Sequence, residues 1–421
     1  MVRGTIIGTW NGCDVSMKLN FRLPSRTDEI SLSGKDVEKR QRSKPSLKNL
    51  FLSFLRLGLT AFGGPAMVAY IKEMAVTHHK WLDEEKFKDG VALCQTIPGA
   101  TAMQTAAYVG LRAKGIAGAL ASFVGFGLPA FIMMLILSSL YATYHEVRGV
   151  ISLFNGLQVV VVAIVANSAW SFGKSTFKNY KDVILAIAAA SLLWARISPF
   201  IVIVGAAVAG IILSRRRTIA TVSTDNSHDF KGLLMLLFFL FLILAMLYFI
   251  DARLFNLATL MMKIDIFAFG GGFASLPLML HEIVSVRGWL DSKTFMDGIA
   301  LGQVTPGPIV ITSTFVGYMS YGLWGAIVAT IAIFTPSFLM VIAITPIFDR
   351  LKASAYFLGA TKGILTSFVG LLFSVTVKFS LAVPWDIVRL VLVCVVFVAL
   401  IRKVDILYVV LITAIISTFA F

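Results

Sequence analysis

The first 47 residues are polar and basic, and from Lys48 onward the pattern changes to long apolar runs separated by short polar stretches. A helix needs about 20 apolar residues to cross a bilayer's hydrocarbon core. Runs of that order, or nearly so, lie at about 49–70, 90–110, 116–141, 150–172, 183–195 and 197–213, then at 232–250, 254–280, 298–318, 322–348, 355–377, 385–401 and 404–421. The pattern predicts an all-α polytopic membrane protein with about 13 transmembrane segments. The fifth run is short and has Arg196 beside it, so it is expected to pair with the sixth as a tight or tilted hairpin.

The two halves are copies of one another. Residues 62–129 recur at 269–336, with Phe62, Gly63 and Gly64 answering to Phe269, Gly270 and Gly271 at an offset of 207. After a one-residue slip, Trp81, Leu82, Asp83, Gln95, Pro98 and Gly99 match Trp289, Leu290, Asp291, Gln303, Pro306 and Gly307. The slip is then undone, and Val109, Gly110, Gly115, Gly118 and Pro129 pair with Val316, Gly317, Gly322, Gly325 and Pro336. The expected organisation is a basic cytoplasmic tail at 1–47, a first transmembrane repeat at 48–213, a cytoplasmic linker at 214–231 and a second repeat at 232–421. The run at 232–250 has no partner in the first half.

That unpaired run makes the number of crossings between the two FGG helices odd, so the halves are expected to be inverted repeats. Counting Lys and Arg agrees, since most lie on segments that the odd count places with the N-terminus, including Arg215, Arg216 and Arg217 of the linker. The exception is Ile71 to Asp89, which falls outside in this arrangement although it holds four lysines. The expectation is a multi-pass protein of the inner (plasma) membrane, N-terminus cytoplasmic and C-terminus external.

Composition narrows the function classes. The chain is 58% apolar and 14% charged with a positive mean hydropathy, which excludes a soluble domain. Its net charge of +15 comes from the tail and short loops rather than one basic face, so no nucleic-acid partner is expected. Cys13, Cys94 and Cys394 are far apart and predict neither a disulfide framework nor a metal site. Gly173-Lys174-Ser175 resembles the end of a phosphate-binding loop but lacks the earlier glycine, which is Ser168. His78 and His79 are adjacent and do not share a helical face. No nucleophile–base pattern suggests an enzyme, and no cofactor is implied.

Three features of the repeat bear on chemistry. Pro98-Gly99 and Pro306-Gly307-Pro308 interrupt apolar runs, and proline breaks a helix by removing a donor and crowding the preceding turn. A half-helix restarting at Thr101, Gln104 and Thr105, or at Thr312, Ser313 and Thr314, would aim free N–H groups and hydroxyls at an anion. The competing reading of one such proline is a simple kink. Gln95 and Gln303 flank the breaks. Second, Arg56 and Lys263 are equivalent, each six residues before FGG, where a cation is retained to face a partner, pathway or ligand. Snorkelling, or for Lys263 pairing with Asp265, is the alternative. Third, FGG itself serves either close helix packing or a substrate-facing loop.

FGGP at Phe62 to Pro65, the WLD segments and GxALxQxxPGP at Gly298 to Pro308, with a variant ending Pro98-Gly99-Ala100, resemble the chromate ion transporter family in its long, two-domain form. The resemblance covers about residues 48 to 380. It implies duplicated halves of opposite orientation and export of chromate from the cytoplasm, with motif positions at Phe62 to Pro65, Gln95, Pro98, Gly99, Phe269 to Gly271, Gln303 and Pro306 to Pro308. Ala100 departs from the pattern. The expected function is a secondary transporter exporting chromate, with sulfate-like oxyanions next. Its expected substrate-binding residues are Arg56, Phe62, Gly63, Gly64, Gln95, Pro98, Gly99, Thr101, Lys263, Phe269, Gly270, Gly271, Gln303, Pro306, Gly307 and Thr312. The alternatives are a transporter of another small anion and a non-transporting membrane sensor or scaffold. The lipid bilayer is a partner, and a homodimer stays open.

Overall fold

The structure is a computed structural model that describes residues 4–10, 13–19, 45–62, 64–213 and 230–420. Gly63 and most of the linker, with Arg215, Arg216 and Arg217, lie outside the described residues. In the basic tail, strands β1 (Gly4–Trp10) and β2 (Cys13–Leu19) pair antiparallel with Gly4 opposite Leu19. Everything else of regular structure among the described residues is helical.

The first repeat opens with α1 (Leu47–Thr60), which Ser46 caps by accepting from the amide of Asn49 at 3.1 Å. After the FGG interruption, α2 (Gly64–Lys72) continues as a π-helical turn, Glu73–His78. The chain turns back on itself here. His79 returns to within 3.5 Å of Ser53, and Trp81 stacks on Phe54 at 6.5 Å. The same happens at the Pro-Gly break between α3 (Glu84–Thr96) and α4 (Thr101–Tyr144): the Tyr108 hydroxyl donates to the Lys86 carbonyl at 3.1 Å, and its ring lies against Gly90. A third reversal falls inside α4, where Gly115 has φ +67° and the hydroxyl of Ser122 donates to the Ala106 carbonyl at 2.7 Å. After this reversal α4 runs on without a further break over 116–144, preceded by two helical hairpins.

The remaining helices of this half are α5 (Arg148–Thr176), α6 (Tyr180–Trp194) and α7 (Pro199–Leu213). The last two form the expected hairpin, turning at Arg196 with φ +64°. The unpaired run is α8 (Phe230–Ile250), whose apolar side chains are largely exposed, as lipid-facing groups are.

The second repeat follows the same course. Its elements are α9 (Ala252–Phe267), α10 (Ser275–Met279) between a 3₁₀ turn and a π-helical turn, α11 (Ser292–Val304) and α12 (Thr312–Ile344). After these come α13 (Phe348–Ala353), α14 (Ala355–Ala382), α15 (Ile387–Ile401) and α16 (Ile406–Ala420). Again α11 and the start of α12 fold back, with Gly298 against the ring of Phe315, and α12 reverses at Gly322, where φ is +62°. There the Thr314 and Thr330 hydroxyls meet at 2.7 Å, sixteen residues apart like Ser122 and Ala106.

Five helical stretches among the described residues are long and apolar enough to cross a bilayer: 101–144, 148–176, 231–250, 309–353 and 355–382. The runs at 49–70, 90–110, 254–280 and 298–318, expected as spans, are instead turn-backs. The halves are also interlocked: α6 and α7 pack on α14, whereas α15 and α16 pack on α5.

Candidate functional site

The four interruptions meet in the interior. At the Pro-Gly breaks Gly99 and Gly307 have φ +115° and +118°, which an L side chain rarely adopts. Each amide crosses to the other repeat: Gly99 N–H donates to the Ala268 carbonyl at 2.9 Å, and Gly307 N–H donates to the Ala61 carbonyl at 3.2 Å. Ala61 and Ala268 are equivalent, one residue before the FGG phenylalanines. Each donor is thus paired with the end of the helix that precedes FGG in the opposite copy.

Further contacts follow the same exchange. Gly99 lies against Ser337 of α12, and Gly307 lies against Ala130 of α4, which is the equivalent position. A Cβ on Gly271 would meet Thr101 Oγ1 at 3.6 Å, so the second FGG turn touches the first restarted helix. Gln104, fully buried, donates from Nε2 to the Pro98 carbonyl. Asp265, 1% exposed, accepts at Oδ2 from the Ser337 amide (2.7 Å) and hydroxyl (2.6 Å). Several buried polar atoms here have no hydrogen-bond partner among the described residues: Gln104 Oε1, Asp265 Oδ1, Gln303 Nε2 and Ser313 Oγ. Each such atom costs about 1–3 kcal/mol, a cost that is offset where a ligand or water completes the bond.

The comparisons with known proteins decide the family. The sequence signature described as chromate transporter matches residues 48–211 and again 255–418, one match to each half. The chain belongs to the chromate transporter family. It is similar to an uncharacterized transporter of Methanocaldococcus jannaschii, 46% identical over 393 residues, 92% of this chain and 98% of that one. It is 30% identical over 349 residues to the chromate transport protein of Cupriavidus metallidurans, covering 77% of this chain and 80% of the relative. To the probable chromate transport protein of Synechococcus elongatus it is 30% identical over 308 residues, covering 72% and 77%. No solved structure matches the chain. It is a multi-pass membrane transporter.

In this member of the chromate transporter family the expected site residues divide. Pro98, Gly99, Thr101, Gly271, Pro306 and Gly307 gather at the crossing of the breaks. Phe269 and Gly270 line a small apolar cleft with Phe172, Ala274, Leu365, Phe368 and Leu372. Phe62, Gln95 and Gln303 are half-buried, and α2 begins at Gly64. Thr312 is fully buried and its hydroxyl donates to the Ile309 carbonyl at 2.8 Å.

The two cations lie elsewhere. Arg56 is exposed, on the face of α1 away from the buried Phe54 and Gly58 that pack on α4. Lys263 donates to Glu282 at 2.9 Å and sits 3.8 Å from the centre of the Phe200 ring, while Arg287 holds the other Glu282 oxygen. The alternative pairing of Lys263 with Asp265 is therefore not what forms. Lys263 and Asp265 are two residues apart on one helix, so they point to different sides.

Sequence reasoning missed Ser337 and the part that Asp265 takes in this junction. A signal was present: Gly58 and Ala130 stand where the second copy has Asp265 and Ser337, so the same contact is apolar in one repeat and polar in the other. A second buried carboxylate, Asp297, accepts from Tyr141 (2.8 Å) and Gln158 (2.9 Å), tying α11 to α4 and α5.

Proposed function

We propose that the protein is a secondary transporter that exports chromate, and sulfate-like tetrahedral oxyanions after it, from the cytoplasm across the inner membrane. The observation that carries this reading is the reciprocal pairing of Gly99 with Ala268 and of Gly307 with Ala61. Two broken helices from different halves meet tip to tip in the interior, where transporters place a substrate site. The amides now satisfied across the junction become donors for an oxyanion when the halves part, and Thr101 and the α4 and α12 N-termini add further positive dipole. The relatives named as chromate transport proteins support chromate as the anion.

Orientation follows from the turn-backs. From the first FGG turn to the second, the crossing segments are 116–144, 148–176, α6, α7 and α8, which number five. The count stays odd, so the repeats are inverted, with the N-terminus and the 214–231 linker cytoplasmic and Phe421 external. The two copies also meet directly, with Phe123 of α4 packing on Phe334 and Phe338 of α12. The turn-backs also move Ile71 to Asp89 to the cytoplasmic side, which removes the exception to the charge bias. The ion pair of Asp89 with Lys352 at 3.8 Å agrees, as both then lie at the cytoplasmic end.

Export of a dianion from a negative interior is downhill by about 4.6 kcal/mol at 100 mV, so no nucleotide hydrolysis is required. The test is flux of labelled chromate in liposomes containing the purified chain, with sulfate as competitor. Wild-type protein is expected to move chromate faster than empty liposomes, and equal rates would return the chain to the sensor or scaffold reading.

A further inference from the structure

Gly99 lies against both Ser337, which bonds Asp265, and Gln104, whose Nε2 donates to the Pro98 carbonyl. Asp265 and Gln104 each keep one buried oxygen, Oδ1 and Oε1, without a donor among the described residues. Two unsatisfied acceptors in one buried junction call for a donor or a positive species. A hard metal cation takes about six oxygens, whereas Asp265 Oδ2 is already held by two donors of Ser337. A proton needs only one oxygen to carry it, and Asp265 Oδ1 has no other partner among the described residues.

Arg253 and Lys263, the other ionisable groups on α9, are held by other partners. Arg253 pairs with Asp251, and Lys263 and Arg287 with Glu282. The elements packed against α9 bring Lys231 and Tyr248 on α8, His281 and Glu282 beyond α10, and Tyr318 and Tyr321 on α12, while α7 has none. On α4, Tyr108 bonds the Lys86 carbonyl and Tyr141 bonds Asp297. No hydrogen bond or ion pair among the described residues joins any of these to the Asp265 carboxylate, which is bonded by Ser337. Gly58 and Ala130 leave the first copy without a counterpart, so the junction holds one carboxylate rather than two.

We propose that Asp265 is the proton-binding residue of transport. A proton from water on one side forms the Oδ1–H bond while the tips are open to that side. That bond breaks to water on the other side after the halves rock, and no electrons are exchanged. An intramembrane carboxylate in the path of a substrate is where such relays are found. The inference rests on the transport reading above and adds coupling to it.

The test uses the purified full-length chain, with two readouts. In liposomes at clamped zero potential, an imposed pH gradient should change wild-type chromate flux several-fold. In weakly buffered detergent solution, chromate binding should be accompanied by movement of about one proton per anion. Asp265→Asn is expected to bring the flux ratio with and without the gradient to about one and to abolish the proton movement. Asp265→Gly with Ser337→Ala, which installs the first copy's residues, should do the same and guards against misfolding of the single variant. Proton movement that persists in a folded variant, or wild-type flux that follows a sodium gradient and ignores pH, would overturn the proposal and leave chromate transport standing. Absence of wild-type chromate flux would sink both.

Discussion

The amide of Gly99 lies 2.9 Å from the carbonyl oxygen of Ala268, joining the Pro-Gly break of the first repeat to the FGG turn of the second. The equivalent pair, Gly307 and Ala61, is joined in the opposite sense. A helix broken in a membrane must satisfy its freed groups within the protein, and here each copy does so with the other.

Gly99→Ala should damage the protein more than Gly307→Ala. Both need a left-handed backbone, which costs an L residue about 1–2 kcal/mol. At position 99 the new methyl would also press on Ser337 and Gln104, whereas at 307 it meets the Ala130 methyl. Thermal midpoints of the purified variants should fall in that order. Equal losses would mean that backbone strain alone sets the cost.

The polar turn at 71–89 is expected in the cytoplasm, and the corresponding turn after Glu282 outside. With Cys13, Cys94 and Cys394 replaced, a cysteine at Lys80 should react with a membrane-impermeant reagent only in inverted vesicles. One at Lys293 should react in intact cells. Labelling of both from one face would exclude the inverted arrangement.

Arg56→Ala and Lys263→Ala are each expected to lower chromate flux about tenfold or more, with normal membrane insertion. Their positions in the repeat are equivalent, but among the described residues only Lys263 is paired, so Lys263→Ala also leaves Glu282 with Arg287 as its remaining ion-pair partner. It should therefore also lower the thermal midpoint, which Arg56→Ala should not. Wild-type flux in both variants would make them surface cations that snorkel.

Tyr141→Phe removes one of the two side-chain donors to buried Asp297. Leaving that carboxylate half-satisfied should cost about 1–3 kcal/mol. The expected result is a lower thermal midpoint with chromate flux retained at temperatures where the variant is folded. An unchanged midpoint would show that water replaces the hydroxyl.

Lipid as the solvent, the duplication and the places where helices stop were all legible in the sequence. Composition, offset and the backbone chemistry of proline and glycine act locally, and α4 and α12 do restart at Thr101 and Thr312. The direction in which the chain leaves each break was not legible. Whether α3 continues or turns back depends on what its neighbours accept, such as the Lys86 carbonyl reached by Tyr108 and the Ala268 carbonyl reached by Gly99. The same limit applied to the charged groups. Spacing placed Lys263 beside Asp265, but only packing between distant segments decided that Asp265 bonds Ser337 while Lys263 turns to Glu282.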